Sequence, residues 1–351
     1  MSDEFRELLK KIGSGTHTSK NLTRTEAAKA TRMMLEGEAT PAQIGAFMIA
    51  HRIKRPTPEE LAGILDTYDA LGEKLSTTSL SSRYVPISFG IPYDGRSRTV
   101  PVTHITTLIL AAANVPVVLH GGDCMPTKYG IPSIAIWQQL GVDFSIFSIA
   151  RAQQILEQTG IGFIYLPQHF PLAHQLVPYR EQIGKRPTLA TAELVWLPVK
   201  EKISVVAGFV HPPTEERLIS TLKLRGIENY TIVKGLEGSC DLSCNRTAII
   251  GMGNEQTGFT RFLLHPEEYG FNGSDVPLES IGQLKEILEA VVAGKNTDLS
   301  AAVILNGGFY LWRSGVCSTL EIGFTLAKEA IDSGAIHDKL KQLQDVTSSL
   351  D

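Results

Sequence analysis

The sequence predicts an α/β protein in two parts: a small N-terminal all-helical domain, and a larger α/β domain with a mainly parallel central sheet. Two observations carry this. The first seventy-five residues hold a series of helix starts, and after Ser76 short β-branched or aromatic runs alternate with helical stretches. Alternation at that spacing is the pattern of parallel strands covered by helices. The length, 351 residues, suffices for two domains and a sizeable core.

The helix starts are capping boxes. In Thr23-Arg24-Thr25-Glu26, Thr40-Pro41-Ala42-Gln43 and Thr57-Pro58-Glu59-Glu60, the Thr oxygen takes an orphan amide and the Glu or Gln side chain reaches back. Pro41 and Pro58 fall at the first helical position, where a missing N–H costs nothing. Beyond Thr40, the residues Ile44, Phe47, Met48, His51 and Arg52 fall near a common face, and Ala42, Gly45, Ala46 and Ala50 allow close helix packing. That pattern marks core and a candidate dimer contact, not chemistry. The helical domain is therefore placed at residues 1–75, joined by a segment near 168–188. Residues 76–351 form the α/β domain, with Ser76 to Arg83 as the linker.

Strands are expected at Tyr84 to Phe89, Pro116 to His120, Gly162 to Leu166, Ile203 to Ala207, Asn229 to Val233 and Thr247 to Gly251. Helices are expected near 105–113, 131–140, 150–159, 214–224, 278–292 and 300–314. A last helix opens on another capping box, Ser318-Thr319-Leu320-Glu321, and stops at Gly334, with a polar, fraying end from Lys339 onward.

A formal net charge of −4 argues against a globally basic nucleic-acid binder. With 43% hydrophobic and 20% charged residues the composition is that of a soluble globular protein. The first residues lack a basic stretch followed by an apolar one, and no run approaches the roughly 18 apolar residues of a membrane span. A cytoplasmic location without membrane contact is the expectation. The four cysteines form no disulfide framework; Cys240 and Cys244 are four apart but lack a second spaced pair, so they read as small buried thiols.

Several blocks narrow the reading. Thr40-Pro41-Ala42-Gln43-Ile44-Gly45-Ala46-Phe47, Pro167-Gln168-His169-Phe170-Pro171, Pro178-Tyr179-Arg180 through Gly184-Lys185-Arg186, Asn306-Gly307-Gly308, and Ile331-Asp332-Ser333-Gly334 stand in a characteristic order and spacing. In these blocks the chain resembles the anthranilate phosphoribosyltransferase family over roughly residues 5 to 345. The resemblance implies transfer of phosphoribose from phosphoribosyl diphosphate to an aromatic amine with Mg²⁺, and a homodimer through the helical domain.

The same resemblance locates the departures. The family's diphosphate loop G-T-G-G-D corresponds to Gly90-Ile91-Pro92-Tyr93-Asp94, where Pro92 has no N–H and only Gly90 and Asp94 persist. N-x-S-T corresponds to Val100-Pro101-Val102-Thr103, which keeps Thr103 alone. K-H-G-N-R corresponds to Leu119-His120-Gly121-Gly122-Asp123, keeping His120 and Gly121 but replacing a cation by an apolar group and another by an acid. A unit charge about 4 Å away is worth roughly 4 kcal/mol at an effective dielectric near 20, so this reversal weakens phosphate binding by orders of magnitude unless it is replaced. Arg96, Arg98 and Lys128 lie close by in sequence as candidate replacements.

The metal-binding D-E pair corresponds to Cys240-Asp241, with Glu237 three residues before; Asp241 and Glu237 are the candidate Mg²⁺ ligands. A thiol is a poor substitute for the hard oxygen that Mg²⁺ wants. Arg180 and Arg186 stand where the resemblance places the acceptor's carboxylate, and they serve equally to tie helix and loop together. Glu193 adds an acid nearby. His120 and His169 are read as structural groups before catalysts, and no catalytic residue is assigned. The expected substrate-binding set is Gly90, Asp94, Thr103, His120, Gly121, Lys128, Arg180 and Arg186. The expected function is that of an anthranilate phosphoribosyltransferase-like protein, a glycosyltransferase homologue whose donor site is altered and whose usual transfer is weak, altered or lost. Its ligand is then a small anion or an aromatic acid. The alternative is a non-catalytic relative that binds nucleic acid, which the net charge does not favour, or another anionic ligand.

Overall fold

The computed structural model describes residues 3–15, 17–91 and 93–349. Four helices open the chain: α1 (Asp3–Gly13), α2 (Arg24–Leu35), α3 (Pro41–Lys54) and α4 (Pro58–Leu71). All three expected capping boxes are formed, on Thr23, Thr40 and Thr57. Glu60 does more than cap. Fully buried, it accepts from the amides of Thr57 and Leu22 and from Lys54 Nζ, each at 2.7–2.8 Å. Burial alone would raise its pKa, but His51, Lys54 and the Thr57 amide hold it down to about 2.

Seven strands form one sheet in the order β3-β2-β1-β4-β5-β6-β7. They are β1 (Ile87–Gly90), β2 (Val117–Gly121), β3 (Ile161–Tyr165), β4 (Ser204–Gly208), β5 (Tyr230–Val233), β6 (Ala248–Asn254) and β7 (Gly258–Leu264). β1 to β5 run parallel, and β6 and β7 are antiparallel additions at the edge. The six expected strands are present within a few residues. β7 was not expected, because it carries no apolar alternation: Phe259 and Leu263 are exposed on an edge strand.

One face of the sheet is covered by helices 103–112, 300–313, 320–332 and 335–348, around Ile105, Trp137, Phe309 and Leu343. On the other face, Val205 and Ile232 join one continuous apolar cluster with Phe170, Trp196 and the buried residues of α1–α4. The stretch 166–197, folded as four short helices and a 3₁₀ turn, runs between sheet and bundle. It reaches the bundle through Gln175 on the Leu35 carbonyl and through Glu193, which accepts from Tyr68 Oη at 3.1 Å.

Two expectations at the C-terminus need correction. The cap of the 320–332 helix is Thr319, which accepts from the Ile322 amide, so Ser318 forms no capping box. Residues beyond Gly334 do not fray. They form a helix to Ser348 that buries Ile336, Leu340, Leu343 and Thr347 at helical spacing. Among the described residues no helix is long and apolar enough to cross a membrane.

Candidate functional site

In an open parallel sheet, ligands sit outside the carboxyl ends of the strands, where the strand order reverses. Here that point is β1, flanked by β2 on one side and β4 on the other. The loops leaving β1, β2 and β5 carry most of the residues singled out from sequence.

The space directly beyond β1 is filled by the protein itself. A Cβ on Gly90 would lie 1.7 Å from the Leu194 carbonyl oxygen, so glycine is needed for the close approach of the 189–197 segment, not of a phosphate. Ile91 and Tyr93 are buried, and Pro92 lies outside the described residues. The Tyr93 hydroxyl is hydrogen-bonded to Nδ1 of His120 at the end of β2, next to Gly121. The His120 ring lies edge-on to Tyr93 and to Trp196, with centroids 5.2 Å away in both cases. Burial lowers the His120 pKa to about 3, so it stays neutral and is not poised for proton transfer near pH 7. His169 is committed to backbone: Nδ1 accepts from the Tyr165 amide at 3.0 Å and Nε2 donates to the Phe147 carbonyl at 2.8 Å.

Four of the expected residues do come together, but around a cation. Arg96 is 2% exposed. Its Nη1 donates to Asp241 and to Ser239 Oγ (2.9 Å), its Nε to Glu237 (3.2 Å), and its Nη2 to Thr99 Oγ1. Asp241 also accepts from Thr103 Oγ1 at 2.5 Å and from the Val102 amide at 3.2 Å. Glu237 accepts from the Ser97, Arg98 and Thr99 amides at 3.0–3.2 Å and pairs with Lys128 Nζ at 2.5 Å. Burial would raise the Glu237 pKa, yet Lys128 and Arg96 hold it well below the usual carboxylate range. Lys128 also donates to the Gly95 carbonyl at 2.8 Å, where the two loops cross so closely that a Cβ on Gly95 would meet Gly130 at 2.5 Å.

The expectation that Asp241 and Glu237 hold a metal does not fit these charges. Both carboxylates are already paired with buried Arg96, Glu237 also with half-buried Lys128, and their remaining lone pairs accept amides and hydroxyls. Among the described residues no group of three or more His, Cys, Asp or Glu is arranged to hold a metal ion. Cys240 faces the carbonyls of Gly90 and Val206, and burial pushes its thiol well above the ordinary value.

The acceptor-side residues separate. Arg180 is buried and its Nη2 donates to both carboxylate oxygens of Glu193, so the acid that stands out in the sequence is its partner. Arg186 pairs with buried Asp94 at 3.3 Å while 41% of its side chain stays exposed. It borders a cavity of about 720 Å³ between the end of α3 and the helix at Pro212–Leu224. Arg52, Arg55, Arg217 and His211 share that cavity, and a lobe of about 340 Å³ continues it past Gly208 and Val210. Sequence reading did not assemble this cleft. Arg52 and Arg55 close α3, Arg217 lies one turn into a helix far along the chain, and no local pattern connects them.

With fold and geometry in place, the class of protein follows: the chain belongs to the glycosyl transferase family that joins a helical bundle domain, matched here by residues 6–72, to an a/b domain, matched by residues 94–337. Its relatives include the anthranilate phosphoribosyltransferase of Acetivibrio thermocellus, 29% identical over 346 residues and covering 97% of both chains. That of Azorhizobium caulinodans is 28% identical over 351 residues, covering 99% of this chain and 98% of the relative. Among solved structures, anthranilate phosphoribosyltransferase from Thermus thermophilus superposes with a TM-score of 0.80 at 20% identity, over 99% of this chain and 100% of the other. The Saccharomyces cerevisiae enzyme in complex with PRPP and Mg gives 0.81 at 16% identity, covering 99% and 98%. At such identities the structural likeness shows the fold.

Proposed function

We propose that the chain is an anthranilate phosphoribosyltransferase-like protein in which transfer of phosphoribose to anthranilate is weak, altered or lost. The full-length likeness to relatives of that name supports the first half. The observation that carries the second is the buried network in which Arg96 and Lys128 neutralise Glu237 and Asp241. A metal-bound diphosphate would have to separate those pairs, and breaking a buried pair costs about 3–5 kcal/mol.

The test is turnover of anthranilate with phosphoribosyl diphosphate and Mg²⁺ by the purified chain, followed by anthranilate fluorescence. Consumption that is slow or no faster than the protein-free control is expected; robust turnover overturns the reading. The same reading carries a cytoplasmic homodimer paired through α1–α4, checked by light scattering, where a monomeric mass would refute it. The second reading, a relative that holds an anionic ligand without catalysis, is favoured by the arginine-lined cleft.

A further inference from the structure

We propose that the cleft between α3 and the 212–224 helix is a binding site for a small anion carrying two or more linked phosphoryl groups, held by Arg52, Arg55, Arg186 and Arg217 without a metal ion. This stands on the cleft alone and holds whether or not anthranilate is a substrate.

Charge balance is the first argument. Several arginines elsewhere meet acids, Arg24 with Asp66, Arg32 with Glu36, Arg96 with Asp241, Arg180 with Glu193 and Arg261 with Glu215, while Arg151 and Arg313 donate to backbone carbonyls instead. Among the described residues, Arg52, Arg55 and Arg217 have no carboxylate partner, and no acid lines the larger lobe. Arg52 donates to the Arg186 carbonyl at 2.6 Å, which ties the end of α3 to the opposite wall. Burial and the proximity of Arg55 both pull the Arg217 guanidinium below its ordinary value, the mark of like charges held together. The smaller lobe does include Glu237, but that carboxylate is already paired with Arg96 and Lys128.

The second argument is the lining. Thr188, 6% exposed, lines the cavity with a hydroxyl that has no hydrogen-bond partner among the described residues. Pro56, Pro187, Pro212 and exposed Ile53 supply apolar wall between the arginines. A single carboxylate satisfies one guanidinium fork and leaves the others facing each other. Linked phosphoryl groups present several forks' worth of oxygen to one cluster, and about 720 Å³ is in the range of a small-molecule site. A cavity of that size holds a compact anion and not an extended strand.

The test is calorimetric titration of sodium triphosphate into the full chain in buffer containing EDTA, with no anthranilate present. Micromolar binding is expected. Arg55→Ala and Arg217→Ala should each weaken it by about ten- to a hundredfold, the worth of one charge-assisted hydrogen bond. Arg32→Ala, a surface position paired with Glu36, should leave it unchanged. Arg55 is exposed, so its loss tests binding and not folding; circular dichroism confirms that each variant is folded. Absence of binding at millimolar triphosphate overturns the proposal, as does unaltered binding by both arginine variants. Tight binding of an oligothymidylate strand by a chain that ignores triphosphate also overturns it, in favour of a nucleic-acid surface.

Discussion

If the end of β2 is packed shut, His120 must refuse a proton until far below neutrality, and the protein must lose stability in acid because of it. The folded chain holds His120 at a pKa of about 3, against an unfolded value of about 6.5. Between these values the unfolded state binds a proton that the folded state does not, so stability falls as pH drops below 6.5 and the loss is complete near 3. From pH 7 to pH 5 this amounts to about 2 kcal/mol. His104, buried against Trp137 and lowered to about 4, adds a similar amount over the same interval. His120→Asn keeps a polar partner for Tyr93 and removes the titrating ring. Urea unfolding followed by tryptophan fluorescence at the two pH values gives the comparison. The wild-type chain should lose about 4 kcal/mol from these two groups and the variant about 2, while carboxylate contributions cancel between them. Equal losses would refute the reasoning, because His120 would then ionise in the folded chain as it does in water, and the strand end would be open.

Arg96→Leu leaves Asp241 and part of Glu237 buried without their cation; urea denaturation should show a loss of about 3–5 kcal/mol, and a loss below about 1 would mean the network is not what holds these loops. In the wild-type chain added Mn²⁺ should stay free by electron paramagnetic resonance. A bound Mn²⁺ signal that Asp241→Asn abolishes would show that Arg96 yields its carboxylates to a metal.

How far the sequence could be read depends on whether the cause of each feature was local. Capping boxes at Thr23, Thr40 and Thr57 were legible because a Thr and a Glu or Gln three residues apart make the motif by themselves. The parallel strands were legible because both faces are buried and their runs are mostly apolar, with Ser88 and His120 as exceptions. β7 was hidden because an edge strand with exposed Phe259 and Leu263 has no periodicity to find. The last helix was hidden because it is mostly polar, and its buried Ile336, Leu340 and Leu343 are sparse. In the site, the candidates Thr103, Lys128, Glu237 and Asp241 were identified and do meet, but the ion pairs among them were not legible. The missing piece is Arg96, whose place between Glu237 and Asp241 is fixed by loops that are distant in the chain.

These facts bear on one question, where the protein keeps its positive charge. Leu119 and Asp123 stand where the resemblance calls for cations, and the structure does not restore them: Leu119 is fully buried and Asp123 accepts from Tyr165 Oη at 2.6 Å. Arg96 and Lys128 are drawn inward by Glu237 and Asp241, and Arg180 by Glu193, so none of the three presents free charge at the strand ends. Arg52, Arg55 and Arg217, clustered without a carboxylate partner, lie instead on the seam between the helical bundle and β4. A buried cation already paired with an acid contributes little attraction to an incoming anion, because the pair's field falls away as a dipole's. An unpaired cluster in a concave site attracts strongly. The electrostatics thus direct an anion to the seam and away from the strand-end cradle, while the fold that positions both is the one its relatives share.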